Sequence, residues 1–124
     1  MKHLLLIFLG GGTGSILRYY LGRFLQHFFP PGFPGGTLSI NMLACFILGF
    51  VVGLLEGSFN FSLSVRLLLI TGFCGGLSTF SAFSYESLQL VQQGRYLYLA
   101  LYVALSLLLC FAVTFAGIVL GSRI

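Results

Sequence analysis

Four long apolar stretches alternate with short polar or breaker-rich interruptions, and this pattern predicts four membrane-spanning helices. A helix needs about 20 mostly apolar residues to cross a hydrocarbon core about 30 Å thick. The first stretch runs over about residues 4–25, with Arg18 and Arg23 at its far end, where long cationic side chains can snorkel. The run Pro30-Pro31-Gly32-Phe33-Pro34-Gly35-Gly36 then predicts a non-helical turn. The second span covers about residues 37–56, and a polar loop through Ser58, Asn60 and Ser62 follows it. The third covers about residues 66–92, Gly94-Arg95 makes the last turn, and the fourth covers about residues 96–120. Lys2-His3 followed by Leu4 to Leu9 imitates a signal peptide, but no Ala-x-Ala site follows and the apolar pattern resumes after Gly14. The expectation is therefore a retained first span.

Composition strengthens this picture. Of 124 residues, 58% are hydrophobic and only 6% charged, against about 25% in a soluble domain. Too few charged side chains exist to cover a water-facing surface, and a mean hydropathy of +1.07 excludes a disordered chain. The length suits a single domain, residues 1–124. The net charge of +4 comes from scattered residues, Lys2, Arg18, Arg23, Arg66, Arg95 and Arg123, with no basic run for nucleic acid to recognise. Cys45, Cys74 and Cys110 all lie in apolar stretches without metal-binding spacing, as buried free thiols do. No dinucleotide, Walker, HExxH or nucleophile-elbow motif occurs, so no enzymatic activity is expected.

Seventeen glycines require a reason. Many recur at four-residue spacing, among them Gly10 with Gly14, Gly49 with Gly53, and Gly117 with Gly121. Such spacing lets helix backbones approach closely in lipid. Four thin helices enclose little alone, so a homodimer is expected. Counting by side sets Lys2, Arg66 and Arg123 against Arg18, Arg23 and Arg95, an even split. Orientation follows an imbalance in Lys and Arg. With none here, the chain is expected to insert both ways up and to pair antiparallel with an inverted copy.

The third span holds the most informative stretch, Gly72-Phe73-Cys74-Gly75-Gly76-Leu77-Ser78-Thr79-Phe80-Ser81-Ala82-Phe83. A Gly-Gly pair followed by Ser-Thr is poor helix-forming sequence. It reads either as a helix with glycines for packing or as a helix broken at membrane depth. Unwound backbone is tolerated there only where protein buries it or a cavity adjoins it, and its freed carbonyls can hold cations. Phe80 and Phe83 share a face with Ser81 beside them; this is either packing or a pair of electropositive ring edges lining an anion path.

Other polar positions carry the same ambiguity. Tyr102, Ser106, Cys110 and Thr114 form a weakly polar stripe on the fourth span, serving either as back-bonded hydroxyls or as a hydrogen-bonding track. Asn41 is interhelical glue or an amide donor for an anion. Glu86, one turn beyond Phe83, is an intramembrane carboxylate and hence a functional candidate. Arg18 is a candidate electropositive lure at a vestibule.

Taken in order, these residues resemble the Fluc (CrcB) family of fluoride channels nearly end to end. Gly11-Gly12-Thr13-Gly14-Ser15 with Arg18-Tyr19 resembles its first-helix motif, and Gly36-Thr37-Leu38 with Asn41 its second. The stretch from Gly72 to Phe83, with Glu86 beyond, resembles the third and most specific. The resemblance implies an all-α, dual-topology, antiparallel homodimer in the cell inner (plasma) membrane, with a broken third helix and two pores passing fluoride passively out of the cell. It implies an aromatic box of Phe80 and Phe83 with Asn41 and Ser81 as donors, and a track along Tyr102, Ser106 and Thr114 with Glu86 linked to it. It also implies a structural sodium ion held by the main-chain carbonyls of Gly75 and Ser78 from both copies. Ala82 and Cys110 depart from the family pattern, the first often Thr and the second more usually Ser. An alternative is a proton-coupled exporter of small cationic compounds resembling the small multidrug transporters, although those carry their coupling carboxylate in the first helix, where this chain has none.

Overall fold

The structure is a computed structural model that describes residues 1–57 and 59–124, so Ser58 of the predicted polar loop lies outside the described residues. Four apolar helical spans are present: Lys2–Gln26, Gly35–Glu56, Leu63–Gln92 and Tyr96–Ser122, each long enough to cross a membrane. The first, second and fourth are the single helices α1 (Lys2–Gln26), α2 (Gly35–Glu56) and α6 (Tyr96–Ser122). The third is composite. It contains α3 (Leu63–Arg66), a π-helical stretch (Leu67–Cys74), α4 (Gly75–Leu77) and α5 (Phe80–Gln92). No strand occurs among the described residues.

One boundary differs from expectation for a physical reason. Gly35 and Gly36 belong to α2 and not to the preceding turn. A Cβ on Gly35 would overlap the Phe29 ring, and one on Gly36 would overlap the Gly22 carbonyl oxygen. The Gly36 N–H, unpaired at a helix start, donates to Gln26 Oε1 at 2.8 Å, while Gln26 Nε2 donates to the Phe33 carbonyl at 2.7 Å. These glycines serve close approach, and Gln26 holds the turn across them. Similarly, Gly75-Gly76 stays helical, and the break falls after it, at Ser78 and Thr79, whose ψ angles are 156° and 114°. A Cβ on Gly76 would overlap the Gly11 carbonyl oxygen, so Gly76 packs the third span against α1.

The tightest helix pair is α2 with α6. Gly49 abuts the Thr114 carbonyl and Gly53 the Ile118 carbonyl, while from the other side Gly117 abuts Phe46 and Gly121 abuts Phe50. Positions rise together along both helices, so the two run parallel, as alternate spans of a four-span chain must. Gly10 and Gly14 of α1 meet the third span in the same way, against the Leu68 and Phe73 carbonyl oxygens. Small residues on both faces bring backbones within van der Waals contact, which is the main cohesive force available in lipid.

The core is correspondingly thin. One buried cluster joins Phe33, Leu38, Leu90 and Tyr102, and another joins Ile40, Ala44 and Leu77. Large apolar side chains such as Phe8, Phe111 and Phe115 point outward and are about 70% exposed or more. A surface of this kind suits lipid or a second copy, not water. The chain is a multi-pass membrane protein.

Candidate functional site

The site begins at the break. The Thr79 N–H donates to Asn41 Oδ1 at 2.8 Å, and Asn41 Nδ2 donates to the Thr79 carbonyl at 3.2 Å. One amide side chain on α2 thus pairs with both backbone polar groups of Thr79 on the third span, and for the N–H it replaces the helical partner lost at the break. The Thr79 hydroxyl then caps α5 by accepting from the Ala82 N–H at 3.1 Å. Of the two roles weighed for Asn41, interhelical glue is seen here, and its amide retains a second N–H.

Immediately after the cap, α5 carries Phe80, Ser81 and Phe83. The Phe80 and Phe83 rings are 5.5 Å apart at 33°, and Phe83 lies 5.1 Å from the Tyr102 ring. Phe83 is half-buried, whereas Phe80 is 77% exposed. Ser81 is exposed, with its hydroxyl 3.2 Å from that of Thr79. Asn41, Ser78, Thr79, Phe80, Phe83 and Ser106 line one cavity of about 230 Å³, which Cys45, Leu107 and Cys110 complete.

The stripe on α6 divides into three kinds of hydroxyl. Tyr102, fully buried, donates to Glu86 Oε2 at 2.7 Å. Thr114 donates back to the Cys110 carbonyl at 2.7 Å, so its proton is already engaged and the back-bonded reading holds for this residue. Ser106 is buried and its hydroxyl has no partner, although it faces the cavity. A buried hydroxyl without a partner is costly, and it is the one free hydroxyl the stripe presents there among the described residues.

On the other side of the break lies a wider vestibule of about 570 Å³, with Arg18, Arg23, Gln26, His27, Thr37, Thr79 and Glu86 in its wall. Arg18 therefore stands where an electropositive lure was expected. Glu86 is set between helices, accepting from Thr37 Oγ1 at 2.7 Å as well as from Tyr102. Two hydroxyl donors stabilise a carboxylate in a thinly solvated place. Thr37 is a site residue that hydroxyl spacing did not single out, because its partner lies on another span. Its position beside Gly36 was the available signal.

Gly75 opens α4 and Ser78 follows its last residue. The N–H groups that a continuous helix would aim at their carbonyls belong to Thr79 and Ala82, and both are diverted, to Asn41 and to the Thr79 hydroxyl. Gly75 is exposed, with open space where a Cβ would stand. Among the described residues no three His, Cys, Asp or Glu side chains converge on a metal position.

Comparison with known proteins bears on this arrangement. The family model of CrcB-like protein, Camphor Resistance (CrcB), matches residues 5–118. A protein of Rhizobium etli named fluoride-specific ion channel FluC is 43% identical over 118 residues, covering 95% of this chain and 94% of its own. A protein of the same name from Pyrococcus furiosus is 44% identical over 123 residues, covering 99% and 98%. One from Gloeothece citriformis is 43% identical over 123 residues, covering 99% of each. With a match of this extent in both family model and relatives, the chain belongs to the CrcB family.

Proposed function

We propose that this protein is a fluoride-selective ion channel that lets fluoride leave the cytoplasm passively and so relieves its toxicity. The carrying observation is the partnerless Ser106 hydroxyl, buried beside a cavity that it lines together with Phe80, Phe83, the Asn41 amide and the Ser78–Thr79 break. A small, strongly hydrated anion leaves water only if donors replace its shell, and a passage without fixed positive charge holds it weakly enough to release it. Ser106, the second Asn41 N–H and the Ser81 hydroxyl are the donors, with ring edges of Phe80 and Phe83 beside them. Larger halides are refused by width. Arg18 draws anions to the vestibule, and Glu86, tied to Tyr102 and Thr37, fixes the inner end of the track. Thr114 joins the track only if its hydroxyl turns away from the Cys110 carbonyl.

The reading extends to an antiparallel, dual-topology homodimer in the inner (plasma) membrane, with one pore on each side. Supporting it are the even split of cations and the exposure of Phe80, Ser81 and Gly75, which a second copy would cover. A sodium ion fits the diverted Gly75 and Ser78 carbonyls, since oxygen donors freed at a helix break suit a hard cation. When bound, it would tie two copies together as a structural charge. Affinity tags at both termini, mapped for accessibility in sealed vesicles, should each be found on both sides. Tags confined to one side would end the dual-topology proposal.

The deciding experiment is ion efflux from liposomes holding purified protein, read with a fluoride electrode and repeated with a chloride electrode. Rapid fluoride release with chloride retained is expected. Retention of both ions by correctly folded protein would refute the channel. Fluoride flux that persists in Glu86→Gln without a proton gradient separates a channel from the proton-coupled exporter.

A further inference from the structure

The contacts between α2 and α6 set a register that continues past the glycines. Gly49 meets Thr114 and Gly53 meets Ile118. One turn earlier on both helices, the same register brings Cys45 opposite Cys110. Both thiols line the cavity that holds Asn41, Phe80, Phe83 and Ser106, both are half-buried, and neither is in a disulfide. The Cys110 thiol lies close enough to interact with that of Cys45.

We propose that Cys45 and Cys110 form a two-thiol site for a soft, linearly coordinated cation of the copper(I), silver(I) or mercury(II) class, and that its occupation closes the path. Soft thiolates select such ions over hard ones. Two donors fall short of the four that a structural zinc site needs, and no third His, Cys, Asp or Glu converges on them among the described residues. Binding of mercury(II) from mercuric chloride breaks two S–H and two Hg–Cl bonds and forms two S–Hg bonds, with two protons and two chlorides leaving to water. The metal needs no change of oxidation state. The ion would stand in a cavity of only about 230 Å³, against the Ser106 hydroxyl and the Phe80 and Phe83 rings. Cys74 is also within electrostatic range of Cys45, but it is buried and does not line the cavity.

The blocking half of this proposal rests on the channel reading, whereas the binding half does not. The test loads purified full-length protein with one equivalent of mercuric chloride, removes free metal by desalting, and measures retained mercury, thiolate–mercury absorbance and fluoride efflux on the same sample. Wild type and Cys74→Ser should retain one ion per chain, and Cys45→Ser and Cys110→Ser should each retain at least tenfold less. Wild-type flux should fall at least tenfold and return with excess dithiol. The double variant Cys45→Ser/Cys110→Ser should change less than twofold relative to its own metal-free rate. Alanine at either position tests the same loss should a serine variant fail to fold. Equal retention by the Cys45 and Cys110 variants, or loss in Cys74→Ser, would overturn the site. Full occupancy with undiminished flux would overturn its place in the path. Pair-dependent retention in a protein that never passed fluoride would support the site and remove the channel instead.

Discussion

The α2–α6 pair and the break at Ser78–Thr79 solve the same problem in opposite ways. Along α2 and α6, backbones meet through Gly49, Gly53, Gly117 and Gly121, every peptide group of the contact is satisfied inside its own helix, and apolar packing holds the pair. At the break, peptide groups lose their helical partners, and one side chain, Asn41, takes over. Where its glycines meet, the first region is a scaffold whose backbone leaves nothing free to bind an ion. The second keeps diverted carbonyls, a spare amide proton and the rings of α5 at membrane depth. The difference shows where backbone groups can serve chemistry in so apolar a chain: where the helix is interrupted and a neighbour repairs it incompletely. Asn41 links the two regions, since it stands on the scaffold helix and holds the break.

The largest effect should come from attacking the scaffold. Gly49→Val or Gly53→Val drives methyl groups into the carbonyl of Thr114 or Ile118, backbone that cannot rotate away. A destabilisation above about 3 kcal/mol is expected. Loss of the monodisperse peak on size exclusion in detergent is the readout, and a normal peak with normal melting would mean the helices are not packed by these glycines.

Next comes the link. Asn41→Leu leaves the Thr79 N–H unpaired, at about 1–3 kcal/mol, and takes the side-chain donor from the Thr79 carbonyl. Fluoride efflux should fall at least tenfold, and the melting temperature should fall with it. An unchanged melting temperature would show that the break does not depend on the amide.

The two rings test the site itself. Phe83 packs on Tyr102, while Phe80 is mostly exposed in the single chain. Phe80→Ile and Phe83→Ile should both cut fluoride flux, through loss of the ring quadrupole, and both should still assemble. Only Phe83→Ile should lower thermal stability measurably, by about 1 kcal/mol. Undiminished flux in both would remove the aromatic pair from the mechanism.

The smallest effects distinguish two hydroxyls on one stripe. Ser106→Ala removes a partnerless buried hydroxyl, so stability should hold or rise by up to about 1 kcal/mol while flux falls. Thr114→Val removes a hydroxyl bonded to its own helix, and both stability and flux should move little. A reversed order would place the working donor at Thr114.

Much of this was legible in the chain. The four spans follow from apolar run length, and each predicted end lies within a few residues of the observed one, because lipid leaves a long apolar helix no alternative. The Gly-Gly-x-Ser-Thr stretch located the break to within a few residues, but did not settle which of its two pairs leaves the helix. Packing against Gly11 keeps Gly76 helical, and Thr79 leaves the helix because Asn41, 38 residues earlier, offers a better partner. Propensity is local, and that bond is not.

What the sequence determined by itself is the solvent and the inventory: a chain too apolar for water, four crossings, and glycines spaced for close contact. Its ordered motifs also resembled the family to which it belongs. Which hydroxyls keep a free proton was decided only by tertiary structure. Tyr102, Ser106 and Thr114 share one helical stripe, yet Glu86 takes the first, nothing takes the second, and the helix's own backbone takes the third. Spacing sets which side chains share a face, whereas the satisfaction of each polar group depends on what the facing helix brings to it.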